Sequence, residues 1–166
     1  LFNLDLNIKE YETTYGFELC SKGLWKFKNK ILGIPAGRKN NIELPDIIKV
    51  NDLEILTSFI RGIFDTDGNV NFRSNYGLKK YYPRIELVLI SEKLIKDVSE
   101  ILEMLGLKPY TYKDKIGYWH INLNGYERLK KYSELIGWSN PKHIRKVKDW
   151  KIKYPNLSKN IMVGVV

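Results

Sequence analysis

One stretch, residues 56–68 (LTSFIRGIFDTDG), constrains the fold of this chain more than any other. Asn51 or Asp52 is suited to cap a helix here, because a short polar side chain accepts hydrogen bonds from the free first-turn N–H groups. Apolar residues then recur at helical spacing and lead to Asp67. Gly68 is expected to end the helix in a left-handed conformation that other residues avoid. The stretch therefore predicts a helix with a carboxylate in its last turn.

A second line along the same helix has small side chains at every fourth position, Ser58, Gly62 and Thr66. Small side chains let two helix backbones approach closely, so this line predicts pairing with another helix. The expected partner is either a matching helix missing from this chain or the same helix of a second copy in a homodimer.

The charge of the chain favours a polyanionic partner. Its 166 residues include 28 Lys and Arg against 19 Asp and Glu, a formal net charge of +9, which points to a nucleic acid. Cys20 is the only cysteine, which excludes a disulfide framework and a cysteine zinc site. No apolar run reaches the length of a membrane span and no signal peptide is visible, so an intracellular, cytoplasmic protein is expected.

Hydrophobic periodicity divides the chain into helices and hairpins. Residues 1–20 predict a strand pair, and residues 21–32 predict a helix that ends at Gly33. The elements predicted after position 51 are a helix to 67, a hairpin over 69–73 and 84–90, a helix over 91–105, a hairpin over 108–113 and 118–123, a helix over 126–136 and a basic helix over 141–153. From position 52 onward the order of the repeat is therefore α-β-β-α-β-β-α.

The run over 60–68, Ile-Arg-Gly-Ile-Phe-Asp-Thr-Asp-Gly, resembles the motif of the LAGLIDADG homing endonucleases, and most closely the second motif of members that have two. The α-β-β-α-β-β-α order is also the repeat unit of that family. The resemblance implies an α+β fold whose antiparallel sheet forms a DNA-binding saddle. It further implies an intron- or intein-encoded endonuclease that hydrolyses DNA phosphodiesters with Mg²⁺ or Mn²⁺. A non-cleaving nucleic-acid binder on the same scaffold, such as an RNA maturase, a regulator or a decayed endonuclease, is the alternative.

Two other families share the letters Asp-x-Asp-Gly but fit less well. An EF-hand loop counted from Asp65 needs Gly at its sixth position and Glu at its twelfth, where this chain has Val70 and Tyr76. Haloacid-dehalogenase-like phosphatases place their acids after a buried strand, whereas here the acids follow a capped helix.

An internal repeat agrees with a two-motif architecture. Shifting residues 17–38 along the sequence places Gly33 on Gly137 and Arg38 on Lys142. The N-terminal stretch is therefore expected to be the end of a first repeat whose motif is absent, which would leave the chain catalytically incomplete on its own. The predicted division is 1–51 for the incomplete repeat and connector, 52–153 for a complete repeat and 154–166 for a tail.

The resemblance assigns roles to individual residues. Asp67, with the Thr66 backbone carbonyl, matches the position that binds divalent metal at the scissile phosphate. A basic residue beyond the last helix of each repeat lies near the reacting water in the family. The matching positions are Lys142, with Lys146 as the fallback, and Arg38 or Lys39 in the first repeat. Ser91 is either a polar residue near the site or an ordinary helix cap.

Polar residues at alternate strand positions suit the base edges of the major groove, and the basic run 142–153 suits phosphates. On the second hairpin, Lys113, Tyr118, His120 and Asn122 are expected to share one face. Double-stranded DNA is the expected partner. The candidate nucleic-acid-binding residues are Asn69, Asn71, Arg73, Arg84, Glu86, Lys113, Tyr118, His120, Asn122, Arg145, Lys146 and Lys148.

Overall fold

Residues 1–37 and 38–166 form separate units of the chain in the computed structural model. The structure describes residues 9–10, 15–16, 19–34, 36, 41–49, 52–72, 81–159 and 161. The candidate residues Arg38, Lys39 and Arg73 lie outside these described residues.

The smaller unit contains a short hairpin and a helix. Strand β1 (Lys9–Glu10) pairs antiparallel with β2 (Tyr15–Gly16). Helix α1 (Lys22–Lys26) begins after Ser21, whose hydroxyl caps its first turn, and continues as a wider π-helical turn over Phe27–Ile31. Within the described residues, the strand pair and the helix predicted for this region are therefore confirmed, although each strand has only two residues there and the π-helical turn was not expected.

Gly33 and Gly137 adopt the same unusual conformation at matched positions of the sequence repeat. Gly33 has φ +64° and Gly137 has φ +68°. Glycine adopts this left-handed region without the steric cost that a Cβ would bring. The pair agrees with the repeat at the level of local structure, and the division of the chain into one incomplete and one complete repeat stays a prediction.

The larger unit is an antiparallel sheet of four strands in the order β3-β4-β6-β5. Its strands are β3 (Gly68–Asn71), β4 (Arg84–Leu89), β5 (Tyr110–Lys113) and β6 (Trp119–Asn124). Its helices are α2 (Leu53–Asp67), α3 (Glu92–Met104), α4 (Tyr126–Leu135) and α5 (Pro141–Lys153), with short 3₁₀ turns over Asp46–Ile48 and Pro155–Leu157. The predicted α+β order from position 52 is confirmed.

The two faces of the sheet differ in chemistry because side chains alternate along each strand. The face that α2, α3 and α4 cover is apolar, and its buried residues are Val70, Ile85, Leu87, Ile121 and Leu123. The other face, called the polar face below, carries Asn69, Asn71, Arg84, Glu86, His120, Asn122 and Asn124 along with Tyr110 and Tyr112 of the edge strand. Among the described residues, no helix is long and apolar enough to cross a membrane.

Helix α2 is the predicted motif helix. Asp52 caps it by accepting hydrogen bonds from the N–H groups of Glu54 and Ile55 at 2.9 and 3.1 Å. The left-handed conformation expected of Gly68 is wrong, because its φ of −90° and ψ of 173° are ordinary extended values. Glycine is required there for a different reason: a Cβ at Gly68 would lie 2.5 Å from the Phe64 carbonyl oxygen.

Candidate metal position and nucleic-acid interface

Asp67 is the last residue of α2, and its side chain is exposed. The Thr66 hydroxyl lies 3.4 Å from Asp67 Oδ2. The last turn of α2 contains no basic side chain, so the negative end of the helix dipole is not compensated from within the helix. A carboxylate at such a helix end favours an external cation. The described residues contain no group of three His, Cys, Asp or Glu side chains that could hold a metal.

Asp65 ties the end of α2 to the start of α5. Its Oδ2 accepts a hydrogen bond from the Ser139 backbone N–H at 2.8 Å, and its carbonyl oxygen accepts one from Asn140 Nδ2 at 2.7 Å. Asn140 in turn caps α5, because its Oδ1 accepts a hydrogen bond from the Lys142 N–H at 2.9 Å. Helix α2, which ends in Asp67, is therefore hydrogen-bonded directly to the start of α5, the helix that carries the candidate basic residues Lys142 and Lys146.

Arg61 forms a second connection between α2 and the chain that follows α4. Its Nε donates a hydrogen bond to the Ile136 carbonyl oxygen at 2.6 Å. Sequence reasoning missed both Arg61 and Asp65 as site-organising residues, since each bonds to a partner more than 70 positions away. The only local signal was that Asp65 belongs to the motif.

Three buried polar atoms near this connection have no hydrogen-bond partner within the described part of the chain: Asp65 Oδ1, Tyr132 Oη and His143 Nδ1. Burial lowers the pKa of the His143 imidazole, and the Asp65 charge opposes this effect only in part. Burial also raises the pKa of the Tyr132 phenol well above its usual value, and Asp65 acts in the same direction. Both groups are therefore held uncharged beside the Asp65 carboxylate at neutral pH.

Lys142 and Lys146 lie one turn apart on α5. Lys142 is exposed in the first turn, where a positive charge opposes the positive end of the helix dipole. Lys146 Nζ donates a hydrogen bond to Asn69 Oδ1 at 2.5 Å, so this ammonium group lies against a residue two positions beyond Asp67. The structure thus brings the fallback candidate Lys146 to the start of β3, and the assignment of Lys142 to the chemistry stays a prediction.

Arg84 is the centre of a hydrogen-bonded network on the polar face. Its Nε donates to Asn122 Oδ1 at 2.6 Å and its Nη2 donates to Glu86 Oε1 at 2.9 Å. His120 lies between two carboxylates, with Nδ1 3.3 Å from Glu86 Oε1 and Nε2 3.1 Å from Asp114 Oδ2. The His120 hydrogen bond is the main cause that lowers the pKa of Asp114. The network therefore runs across the face from Asp114 to Arg84.

The prediction that Lys113 shares a face with His120 is wrong. The strand register places Tyr112, not Lys113, opposite His120, and the two rings stack with centroids 4.6 Å apart. Lys113 pairs with Trp119 instead, and its Nζ lies 5.3 Å from the centre of the indole ring. Lys113 therefore belongs to the opposite face of the sheet, because the turn between the strands fixes a register that periodicity alone does not reveal.

Asn122 lies on the polar face, as predicted, but its side chain is only 2% exposed. Its amide oxygen is occupied by Arg84. In this conformation the amide oxygen of Asn122 contacts Arg84, and the assignment of Asn122 as a direct nucleic-acid contact stays a prediction.

The remaining candidates occupy accessible positions. Asn69, Asn71, Arg84, Glu86 and His120 are half-buried on the polar face, Tyr118 is exposed next to it, and Arg145 and Lys148 are exposed on α5. Ser91, by contrast, is 2% exposed; it caps α3 through the Leu94 N–H and donates to the Ile42 carbonyl oxygen, so it is a helix cap.

The line of small residues on α2 is exposed at Ser58, Gly62 and Thr66. A Cβ added at Gly62 would meet no atom of the described residues within 4 Å. The predicted pairing of this helix face with another helix stays a prediction.

The LAGLIDADG-like domain is the protein family whose model matches this chain, over residues 54–137. The matched range begins in the first turn of α2, ends at Gly137 and covers half of the 166 residues.

Two curated relatives share similar segments. The chain is 29% identical to the probable translation initiation factor IF-2 of Methanocaldococcus jannaschii over 173 aligned positions, which cover 97% of this chain and 13% of the relative. It is also 29% identical to the replicative DNA helicase DnaB of Rhodothermus marinus over 112 positions, which cover 64% of this chain and 12% of the helicase. The chain therefore spans about one-eighth of the length of these relatives.

Among solved structures, the fold is similar to that of the homing endonuclease I-DmoI. Its complex with DNA and Ca has a TM-score of 0.57 at 18% identity and covers 89% of this chain and 68% of that protein. Its complex with DNA and Mn has a TM-score of 0.52 at 19% identity, over 80% of this chain and 62% of that protein. Likeness at this level of identity establishes the fold, and the family match over α2 to Gly137 establishes the family. The chain belongs to the LAGLIDADG family.

Proposed function

We propose that this chain is part of a site-specific DNA endonuclease of the homing type and that its polar face binds duplex DNA. One observation carries the proposal: the motif helix ends in the exposed carboxylate of Asp67, directly beside the polar face and beside the basic helix α5. A DNA strand that lies on the polar face would bring a phosphate to this end of α2. The net charge of +9 supports the same partner.

Asp67 and the Thr66 carbonyl are the groups that would hold a divalent cation, with the remaining ligands coming from phosphate oxygens and from a second motif helix. Such a cation polarises the phosphate and the attacking water. Mg²⁺ or Mn²⁺ is the expected ion, and solved complexes of I-DmoI with DNA contain Mg, Mn or Ca. Lys146 or Lys142 would then stabilise the negative charge that develops on the phosphate.

The curated relatives support an intein-type origin. Segments similar to this chain occur in an initiation factor and in a replicative helicase and make up only about one-eighth of each. A mobile insertion is the simplest explanation for a segment that two proteins with different tasks have in common. Inteins are insertions of this kind, and they often encode homing endonucleases.

A non-cleaving nucleic-acid binder is the second candidate. It is favoured by the fact that the described residues contain one motif helix and so one carboxylate at the last position of such a helix, whereas cleavage of both DNA strands on this scaffold needs two. The second motif helix would come from a first repeat or from another copy of the chain, through the exposed line of small residues on α2.

A metal titration separates the two candidates. The 166-residue chain is mixed with a duplex and titrated with Mn²⁺, and bound metal is followed by its paramagnetic effect on water relaxation. An endonuclease should bind Mn²⁺ in a manner that Asp67→Asn weakens at least tenfold, because the carboxylate is a direct ligand. Glu103→Gln, at an exposed position on α3, removes one negative charge elsewhere and should change little. Equal Mn²⁺ binding by wild type and Asp67→Asn would contradict the endonuclease assignment.

A further inference from the structure

The position of Arg84 on the polar face gives it neighbours on both sides. It is the first residue of β4, an inner strand, and it lies opposite Asn71 of β3 and Asn124 of β6. Its side chain is 25% exposed. A duplex that rests on this end of the polar face would therefore lie over the guanidinium group.

The hydrogen bonds of Arg84 occupy one particular edge of the guanidinium. Arginine has five N–H groups in a rigid planar fork. Asn122 and Glu86 take the Nε–H and one N–H of Nη2, which lie side by side on the same edge. Three N–H groups remain. Two of them form the end edge, where Nη1 and Nη2 each point a donor away from the side chain, and the third is the other N–H of Nη1. Those end-edge donors have no partner among the described residues.

The two side chains that accept these hydrogen bonds, Glu86 and Asn122, are themselves held in place. Glu86 Oε1 is shared with His120, which is held from its other side by Asp114 and stacked on Tyr112. Asn122 is almost completely buried. The guanidinium plane is therefore oriented before any ligand arrives, and less side-chain entropy is lost on binding.

Two parallel donors at a fixed spacing select one base. In the major groove, guanine presents two neighbouring acceptors, N7 and O6, while adenine presents an acceptor and a donor, thymine an acceptor and a methyl group, and cytosine a donor. The end edge of Arg84 therefore matches guanine and meets a mismatch at each of the other bases.

We infer that Arg84 reads a guanine in the target duplex and that Glu86 and Asn122 are positioning residues that aim it. This inference rests on the proposed DNA-binding function. It changes the role predicted for Glu86 and Asn122, whose hydrogen bonds point towards Arg84 and not towards a base.

A selection experiment tests the inference without a known target. The 166-residue chain and its variants are used to enrich duplexes from a randomised pool, and the base preference at every position is read by sequencing. Wild type should enrich guanine at one position by roughly 5- to 150-fold over other bases. Arg84→Lys keeps the charge but loses the fork, so it should lose this preference and keep the preferences at other positions. Glu86→Gln should weaken the same preference.

Lys96→Ala is the matched control. Lys96 is exposed on α3, which covers the opposite face of the sheet, and pairs with Glu92. Its removal takes away one positive charge without touching the polar face, so the guanine preference should remain.

A change in the DNA alone provides a second test, whose main measurement uses the wild-type protein. Replacing the selected guanine by 7-deazaguanine removes the N7 acceptor and leaves the base pair intact. Wild type should bind this duplex at least fivefold more weakly. Arg84→Lys, which makes no two-donor contact, should show a smaller loss.

The outcomes are distinct. An unchanged base preference in Arg84→Lys, a lost position that is not guanine, or no effect of 7-deazaguanine on wild type would each overturn the inference while leaving DNA binding in place. Failure of wild type to enrich any duplex would overturn the proposed DNA-binding function, and the inference with it.

Discussion

Asp65 Oδ2 accepts a hydrogen bond at 2.8 Å from the backbone N–H of Ser139, a residue 74 positions further along the chain. This bond joins the last turn of the motif helix to the segment that starts α5. The position of the basic helix α5 relative to Asp67 therefore depends on Asp65, a second acid of the same motif.

We expect Asp65→Ala to destabilise the fold. The substitution leaves the Ser139 N–H without its acceptor and removes the carboxylate next to Tyr132 and His143, which should lower the free energy of unfolding by about 1–3 kcal/mol. Urea unfolding measures the change. Asp149→Ala, at an exposed position on the same α5 helix, should stay within about 0.5 kcal/mol of wild type. Equal free energies of unfolding in the two variants would show that the hydrogen bond between Asp65 and Ser139 does not stabilise the fold.

The stability of the chain should fall as the pH drops below neutral. The folded state lowers the pKa of His143, so the unfolded state takes up a proton near pH 6.5 while the folded state does not. The stabilisation is therefore complete above about pH 6.5 and is lost as the pH falls through the lower, folded pKa. Urea unfolding between about pH 7.5 and 5.5 follows the decline, which His143→Leu should reduce.

His120 is the other histidine of the chain and provides the control for this pH dependence. His120→Gln leaves His143 in place and should keep the decline. A decline of the same size in His143→Leu and in wild type would assign the pH dependence to other groups.

Gly62→Leu should report on helix pairing. Because a Cβ at this position meets nothing within the described residues, the substitution should leave the folded monomer intact. If α2 pairs through its small residues, the larger side chain must separate the two helices and abolish association. Sedimentation equilibrium measures the oligomeric state of wild type and of Gly62→Leu. An association constant that the substitution does not change would rule out pairing through this face.

The affinity for duplex DNA should decrease steeply with salt, because phosphate contacts release counterions. Replacing Lys148, which is exposed on α5, by Ala should reduce the slope of log K against log salt by about 0.9 if this residue contacts a phosphate. Asn71→Ala should leave the slope unchanged and alter base preference instead. Fluorescence anisotropy with one labelled duplex at several salt concentrations gives both slopes. Binding that does not vary with salt would contradict the proposed interface.

The 166-residue chain on its own should make few double-strand breaks in a duplex that it selects. Each strand has its own scissile phosphate, and the described residues supply one carboxylate at the end of a motif helix, Asp67. Nicking of one strand in Mg²⁺, abolished by Asp67→Asn, is the largest activity expected of a monomer. Plasmid cleavage assays distinguish nicked from linear DNA. Efficient linearisation would show instead that two copies assemble through α2.

The local elements of this fold could be predicted from the sequence because their signals are local. Asp52, Ser91 and Gly137 mark helix ends through the hydrogen bonds or backbone angles that these residue types favour. Leu56 and Ile60, two of the apolar residues that recur at helical spacing in α2, are buried in the core. The position of Asp67 in the last turn of a helix could be predicted from the same kind of local signal.

What could not be predicted depends on contacts between distant segments. The face of Lys113 follows from the hairpin register, and the amide oxygen of Asn122 accepts a hydrogen bond from Arg84, 38 positions away. The link from Asp65 to Ser139 leaves no pattern in either segment. Gly68 was correctly recognised as necessary but for the wrong reason, since the close carbonyl of Phe64 exists only once the helix has turned into a strand.

The direct passage from α2 into β3 at Gly68 has a consequence for how such a protein acquires new targets. No loop separates Asp67 from Asn69 and Asn71, and strand residues advance by about 3.3 Å each. In the proposed endonuclease, the backbone therefore fixes the distance between the cleaved phosphate and the first bases that are read. Substitutions on the polar face can change which sequence is recognised, but the distance from that sequence to the cut is set by the backbone and stays the same.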